Sequence, residues 1–181
     1  MKVSETRLPG VRIIEPRVFD DERGFFLEAW NGRDYEAAGM AARFVQDNHS
    51  RSAKSVLRGL HYQVRRPQGK LVRVVTGSAY TVAVDLRRSS DHFGRWFGII
   101  LSGKNMRQLW IPPEFAHGFL TLEDDTDYLY KCTDYYAPEY ERTILYSDPA
   151  LGIAWPLDGR EPLLAPRDAR APHLVDAETF D

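Results

Sequence analysis

The chain has 181 residues, of which 43% are hydrophobic and 12% are aromatic, enough to bury a sizeable core within one domain. Its net charge of −2 argues against a nucleic-acid-binding surface, which normally carries a basic stripe and a high pI. Cys132 is the only cysteine, so the composition excludes an internal disulfide and a zinc site built from several thiolates.

The N-terminal residues lack the apolar core of a signal peptide, and no apolar run is long enough to cross a bilayer. We therefore expect a cytoplasmic protein without a membrane partner. Neither a Gly-x-Gly-x-x-Gly turn nor a Gly-x-Ser-x-Gly elbow occurs, so the sequence supports neither a dinucleotide fold nor a serine hydrolase.

Short segments rich in Val, Ile, Tyr, Phe and Trp recur between turn residues, which is typical of an all-β protein. A helix is predicted over 33–38, with Gly39 as its stop signal, and another turn or two near 166–171. The proline-rich tail, 156–172, is expected to wrap over the core. Strands are predicted over the following ranges, with the clearest hairpin joining the third to the fourth: 25–30, 43–48, 71–75, 80–86, 96–101, 108–111, 118–122, 128–133 and 143–146.

This number of short strands favours a jelly-roll β-sandwich that forms a single domain over residues 1–181. Within it, the run from Val56 to Gln63 places Gly59, His61 and Gln63 on one face of a strand, since side chains alternate along a strand. Polar groups on an inward face suggest a pocket. Spacing alone leaves open an alternative: a buried histidine satisfied by hydrogen bonds, or a strand whose polar face is exposed to water.

A metal site is a rival interpretation, because jelly-roll barrels can collect histidines on facing strands. Such a site needs three or four N, O or S donors. Two residues after His61 the chain has Gln63 in place of a second histidine, and His49, His92 and His173 suggest no common cluster. We therefore expect no metal ligand set.

Several blocks in order make the chain resemble the dTDP-4-dehydrorhamnose 3,5-epimerases, a cupin-like family of nucleotide-sugar enzymes. The resemblance covers nearly the whole sequence. Its blocks are Asp21-Glu22-Arg23-Gly24-Phe25-Phe26-Leu27-Glu28, Gln46-Asp47-Asn48-His49-Ser50, Arg58-Gly59-Leu60-His61-Tyr62-Gln63, Gly69-Lys70-Leu71-Val72-Arg73-Val74, Ile111 to Phe119, Tyr130 to Glu139 and Asp148 to Pro156.

The resemblance implies an isomerase that acts without metal or other cofactor in dTDP-rhamnose biosynthesis. It would invert C3 and C5 of dTDP-4-dehydro-6-deoxy-D-glucose, the carbons on either side of the C4 ketone. A proton beside a carbonyl is only weakly acidic, so this reaction needs a base, a group that stabilises the enolate oxygen, and an acid on the opposite face.

The resemblance also implies roles for individual residues. His61 matches the base, and Asp168 the carboxylate that orients it. Lys70 would stabilise the enolate, with Arg58 as a second candidate for this role, and Tyr130 matches the acid. Because Tyr128, Tyr130, Tyr135 and Tyr136 lie close together in the sequence, the resemblance decides this last assignment and the spacing does not.

The remaining implied residues bind the nucleotide sugar. They are Arg23, Phe26, Glu28, Gln46, Asn48 and Arg58 for the nucleotide, Tyr136 for the sugar site, and His117 as support near the base. Guanidinium groups suit a diphosphate because their forked donors meet two oxygens at once. Family members are homodimers in which the early strand crosses to the partner, so Arg23 and Glu28 are expected to serve the neighbouring subunit.

One position departs from the family, which commonly carries Asp where this chain has Thr81. A single-site epimerase, inverting C3 or C5 of a related sugar, is therefore an open alternative. So are a ketoisomerase of the same jelly-roll group, a metal-dependent cupin enzyme and a binding module that has lost catalysis.

Overall fold

The computed structural model describes residues 1–181 as thirteen strands, two short α-helices and two 3-10 helices, Pro138–Tyr140 and Leu174–Asp176. The helices are α1 (Gly32–Ala37) and α2 (Pro166–Ala169). The strands are β1 (Lys2–Glu5), β2 (Arg12–Glu15), β3 (Val18–Asp21), β4 (Gly24–Leu27), β5 (Gln46–Ser52), β6 (Leu57–Gln63), β7 (Lys70–Thr76), β8 (Ser78–Asp85), β9 (Trp96–Ser102), β10 (Gln108–Ile111), β11 (Phe115–Thr121), β12 (Thr126–Cys132) and β13 (Glu141–Thr143).

Two antiparallel sheets form the body of the molecule. One has the strand order β1-β2-β10-β7-β12-β5, and the other has the order β13-β6-β11-β8-β9. Their inner faces enclose a core that includes Val72, Leu109 and Tyr128 from the first sheet and Ala83 and Phe119 from the second. This β-sandwich confirms the predicted all-β, cupin-type jelly roll.

Each sheet also buries part of its outer face. Leu60, Tyr62 and Val84 of the second sheet pack with Leu174 and Phe180 from the C-terminal tail. On the outer face of the first sheet, a smaller cluster of Ile14, Leu71, Tyr35 of α1 and Met40 covers the strands. The residues that pack on this face, Leu174 and Phe180, come after the segment predicted to wrap over the core, 156–172; within that segment, Leu163 and α2 line a cavity between the sheets.

The predicted hairpin between 71–75 and 80–86 is wrong, although both strands exist. β7 pairs with β10 and β12, whereas β8 pairs with β11 and β9, so the two strands belong to different sheets. The chain changes sheets at Gly77, whose φ of +72° favours glycine, and a Cβ there would lie 2.4 Å from Thr126 Oγ1. Alternation along each strand revealed the strands but not their partners.

The hairpin of β3 and β4 forms a two-stranded sheet apart from both large sheets. It carries Phe19, Phe25 and Phe26, which are 47%, 60% and 65% exposed. An isolated two-stranded hairpin is marginally stable in water, and a cluster of exposed aromatic side chains marks an interaction surface.

No helix in the structure combines the length and apolarity that a membrane span requires. The cytoplasmic location stays a prediction of the sequence.

Candidate active site

A cavity of about 440 Å³ opens between the two sheets. Side chains from both sheets, from α2 and from the segment before it line the cavity: Ser50, Val56, Leu57, Arg58, His61, Lys70, His117, Phe119, Tyr130, Leu163, Leu164, Ala165, Arg167 and Asp168. Six of the residues singled out from the sequence therefore meet in one place: Arg58, His61, Lys70, His117, Tyr130 and Asp168.

His61 and Asp168, which both line the cavity, lie within ion-pair distance of each other. His61 Nε2 lies 2.8 Å from Asp168 Oδ1, and the other carboxylate oxygen accepts a hydrogen bond from Gly59 N at 3.2 Å. Asp168 is only 1% exposed. Burial opposes its charge, but the hydrogen bonds from His61 and Gly59 outweigh burial and hold the pKa of Asp168 below its usual value. A charged carboxylate at Nε2 keeps the proton there and leaves Nδ1 of a neutral His61 free to accept one.

An irregularity in β6 brings Arg58 to the same cavity as His61. His117 pairs with His61, but Phe119 pairs with Arg58, so one residue of β11 stands opposite two of β6. The extra residue shifts the alternation of side chains along β6. Arg58 and His61, which are three residues apart and would otherwise point to opposite faces, therefore point to the same side. Arg58 is held by its Nε and Nη2, which donate to Ser52 Oγ at 3.2 and 3.1 Å.

Gln63 does not reach the cavity, although strand alternation predicted that it shares the face of His61. Its side chain is 4% exposed, donates to Arg66 O at 2.9 Å and accepts from Ala137 N at 2.9 Å. Gln63 therefore fastens the loop after β12 to the barrel.

Lys70 and His117 place a buried cation beside a neutral imidazole. Lys70 is 7% exposed and its Nζ has no carboxylate within ion-pair distance, so burial lowers the pKa of Lys70. Burial, followed by the charges of Lys70 and His61, holds the pKa of His117 well below its usual value. His117 is therefore neutral at physiological pH.

Tyr130 lies on β12 of the first sheet, whereas His61 lies on β6 of the second. The two side chains thus approach the cavity from opposite walls. The Tyr130 hydroxyl has no hydrogen-bond partner within the protein, and burial raises the pKa of Tyr130. A protonated, unengaged hydroxyl on the wall opposite the histidine is suited to deliver a proton to the other face of a bound molecule.

Gln46 and Asn48 do not line the cavity, but strand alternation places them on the same face of β5 as Ser50, which does. Gln46 Nε2 donates to Asn48 Oδ1 at 3.0 Å, and Gln46 Oε1 accepts from Tyr136 N at 2.8 Å. The Tyr136 hydroxyl donates to Glu141 Oε2 at 2.9 Å, and Glu141 pairs with Arg167 of the cavity wall.

Arg23, Phe26 and Glu28 lie outside this cavity. Arg23 pairs with Asp21 at the tip of the β3-β4 hairpin, and its side chain is 85% exposed. Phe26 is 65% exposed, and Glu28 accepts only from Asn31 Nδ2 at 3.3 Å. The three residues thus lie in a separate, solvent-exposed part of the chain.

Three site residues were missed in the sequence. Arg167 lines the cavity and pairs with Glu141, and Ser50 turns a buried hydroxyl without a protein partner toward the cavity region. Extending the alternation of Gln46 and Asn48 by two residues would have pointed to Ser50. No local signal identifies Glu141, because its partner lies 26 residues away.

Thr81 does not line the cavity. It is fully buried behind His117 and shares a hydrogen bond of 3.1 Å with the Tyr128 hydroxyl, which in turn lies 3.0 Å from His117 Nε2. No three His, Cys, Asp or Glu side chains lie close enough together to hold a metal ion. Metal-free chemistry stays a prediction that metal analysis of the purified protein tests.

Comparison with known proteins gives a consistent result. A sequence model of the dTDP-4-dehydrorhamnose 3,5-epimerase family matches residues 5–176. A dTDP-4-dehydrorhamnose 3,5-epimerase of Pseudomonas aeruginosa is 54% identical over 99% of both chains.

The solved structures agree. The crystal structure of the dTDP-6-deoxy-D-glucose-3,5-epimerase RmlC of Legionella pneumophila, in complex with dTDP-4-keto-L-rhamnose, is 52% identical with a TM-score of 0.95, covering 98% of this chain and 94% of that one. The 3'-monoepimerase ChmJ of Streptomyces bikiniensis, in complex with dTDP-quinovose, is 34% identical with a TM-score of 0.88, covering 94% and 86%. The chain therefore belongs to the dTDP-4-dehydrorhamnose 3,5-epimerase family and is an isomerase.

Proposed function

We propose that the protein inverts C3 and C5 of dTDP-4-dehydro-6-deoxy-D-glucose to give dTDP-4-dehydro-L-rhamnose, with residues 1–181 acting as one epimerase domain. The observation that carries the proposal is the placement of His61, backed by Asp168, and Tyr130 on opposite walls of one cavity. Inversion requires removal of a proton from one face and its return to the other, which one base on one wall cannot accomplish.

In this mechanism neutral His61 removes the proton from the carbon beside the C4 ketone. The electron pair of the broken C–H bond moves into the ring, and the ketone oxygen becomes an enolate oxygen. Asp168 stabilises the imidazolium that forms. Tyr130 then gives its proton to the same carbon from the opposite face, and the enolate returns to the ketone.

Lys70 is the group we assign to the enolate oxygen, with Arg58 contributing to the positive potential. Lys70 is desolvated and free of carboxylate partners, so its charge is available to a negative oxygen in the cavity. A preorganised donor of this kind is worth about 3 to 4 kcal/mol of barrier lowering. No step calls on a metal or a redox cofactor.

Nucleotide binding is assigned to Arg58, Gln46 and Asn48 of the barrel, together with the hairpin residues Arg23, Phe26 and Glu28 of a second subunit. The exposed aromatic hairpin supports this arrangement, since it pairs with neither sheet of its own chain. In the proposed homodimer, the hairpin of each chain completes the site of the other. Tyr136 and His117 are assigned to the sugar site and to support of the base.

The decisive experiment is NMR of dTDP-4-dehydro-6-deoxy-D-glucose with the pure protein in deuterated water. Deuterium at both C3 and C5, with a product accepted by a reductase that forms dTDP-rhamnose, supports the proposal. Exchange at one carbon alone supports the alternative of a single-site epimerase. The similarity to a 3'-monoepimerase is the reason to test this alternative. Migration of the ketone to C3 identifies a ketoisomerase, and absence of exchange refutes catalysis on this substrate.

A further inference from the structure

A chain of three buried side chains runs from the second sheet, through the core, to the cavity. Thr81 Oγ1 lies 3.1 Å from the Tyr128 hydroxyl, and that hydroxyl lies 3.0 Å from His117 Nε2. Thr81 and Tyr128 are both fully buried, so no water competes for these bonds. The ring of Phe119 stacks on Tyr128 at a centroid distance of 3.9 Å, which fixes the tyrosine's orientation.

The hydrogen bonds that link Thr81, Tyr128 and His117 can run in either direction, and only one direction gives each hydroxyl hydrogen an acceptor. Each hydroxyl has one hydrogen to donate. If His117 donated from Nε2, Tyr128 would have to donate to Thr81, and the Thr81 hydrogen would have no acceptor, because Tyr128 is the only partner of Thr81 Oγ1. A buried hydroxyl that donates to nothing is unfavourable.

The other direction gives both hydroxyl hydrogens an acceptor and leaves only Nδ1 of His117 without a partner in the protein. Thr81 donates to Tyr128, and Tyr128 donates to Nε2 of His117. A neutral imidazole that accepts at Nε2 carries its hydrogen on Nδ1. Nδ1 has no protein partner, and His117 lines the cavity. A donor N–H is thus available to whatever occupies the cavity.

We propose that Thr81 and Tyr128 are positioning residues that hold His117 in the Nδ1–H form, so that it donates a hydrogen bond to a cavity-bound oxygen. This inference rests on the proposed function only for the identity of that oxygen, the one that becomes negative at C4. It also gives the threonine a role of its own. A hydroxyl can donate toward Tyr128, whereas a carboxylate at the same position can only accept and would reverse the direction of the chain.

The test reads the tautomer directly in the free enzyme. In long-range ¹H–¹⁵N spectra of ¹⁵N-histidine-labelled protein at pH 7, His117 is expected to show a pyridine-type Nε2 and a protonated Nδ1. Tyr128→Phe removes the donor to Nε2, and Thr81→Val removes the hydroxyl that orients Tyr128. Both are expected to abolish the preference for Nδ1–H, and Thr81→Ser, the conservative variant, is expected to restore it.

Steady-state kinetics of the same variants provide a second test. Because the donor acts on charge that develops during the reaction, Tyr128→Phe and Thr81→Val should lower kcat about three- to tenfold and change KM little. Thr126→Val is the matched control, since Thr126, the first residue of β12, is also fully buried but donates only to the backbone carbonyls of Ser78 and Glu123. It is expected to lower stability while leaving the His117 spectrum unchanged.

A wild-type spectrum with His117 protonated on Nε2, or on both nitrogens, overturns the inference. So does a Tyr128→Phe spectrum that keeps the wild-type tautomer. Failure of the proposed function is a separate result, namely absence of deuterium exchange in the substrate. The tautomer spectra are recorded without substrate, so they test the roles of Thr81 and Tyr128 independently of that result.

Discussion

Asp168 Oδ1 lies 2.8 Å from His61 Nε2, although 107 residues separate them in the chain. The carboxylate is buried, and two hydrogen bonds from β6 fix its orientation. Because the carboxylate engages Nε2, the pair determines that Nδ1 is the nitrogen of His61 available for the proposed role as a base.

Asp168→Asn should lower kcat about a hundredfold or more, since the amide can neither hold the proton on Nε2 nor stabilise the imidazolium. Substrate binding, measured by calorimetry, should change little. Asp176→Asn is the control, because Asp176 is an exposed aspartate of the same tail. Equal activity of the two variants would contradict the assigned role of Asp168.

His61→Ala and Tyr130→Phe should separate proton removal from inversion. Without the base, exchange of deuterium at both carbons should disappear. Without the acid, exchange should persist while formation of the inverted product falls, because the proton is removed and returned on one face. NMR in deuterated water gives both rates. Tyr80→Phe serves as a control on the outer face of the second sheet, where Tyr80 packs on Trp155. Turnover at the wild-type rate by His61→Ala would rule out His61 as the base.

Lys70→Met should raise Tm while it removes activity. The apolar side chain avoids the cost of burying an ammonium group, and about 1 kcal/mol corresponds to about 2 to 4 °C for a domain of this size. Scanning calorimetry checks the shift, with exposed Lys104→Met as the control. A lower Tm for Lys70→Met would indicate that the charge stabilises the fold.

The same lysine has a predictable effect on the pH dependence of stability. The folded pKa of Lys70 is lowered by burial, whereas the unfolded chain binds its proton up to a pKa of about 10.4. The unfolded state therefore holds more protons between the two pKa values, and the Lys70 contribution to stability rises with pH across that window. Urea titrations in mildly alkaline buffers should show that the advantage of Lys70→Met over wild type shrinks as the pH rises.

Mixed dimers test whether the hairpin acts in the neighbouring subunit. His61→Ala and Arg23→Ala should each be nearly inactive. When the two are denatured together and refolded in equal amounts, about a quarter of wild-type activity should return, because half of the dimers then contain one intact site of two. The pair His61→Ala and Asp168→Asn should show no such recovery, since both changes lie in one site. Absence of recovery in the first mixture would contradict the exchange of hairpins.

Sequence patterns predicted ten of the thirteen strands at least in part, because alternation reflects which side of a sheet is buried, and they missed β1, β2 and β3. They failed where pairing depends on distant residues. Nothing local shows that the chain changes sheets at Gly77, or that the extra residue in β6 brings Arg58 to the face of His61. The place of Asp168 beside His61 came from the family resemblance alone. Thr81 was noticed as a departure, but its link to His117 through Tyr128 required the three-dimensional contacts.

The position of Asp168 in the chain has a consequence for when the protein becomes an enzyme. Both large sheets are complete by Thr143, yet the partner of His61 arrives only with α2. In the proposed mechanism, a ribosome must therefore synthesise the chain through residue 168 before His61 has the carboxylate partner that proton transfer requires. Likewise, cleavage of the chain ahead of α2 would remove the proposed partner of His61 and leave every strand of both large sheets on the N-terminal side of the cut.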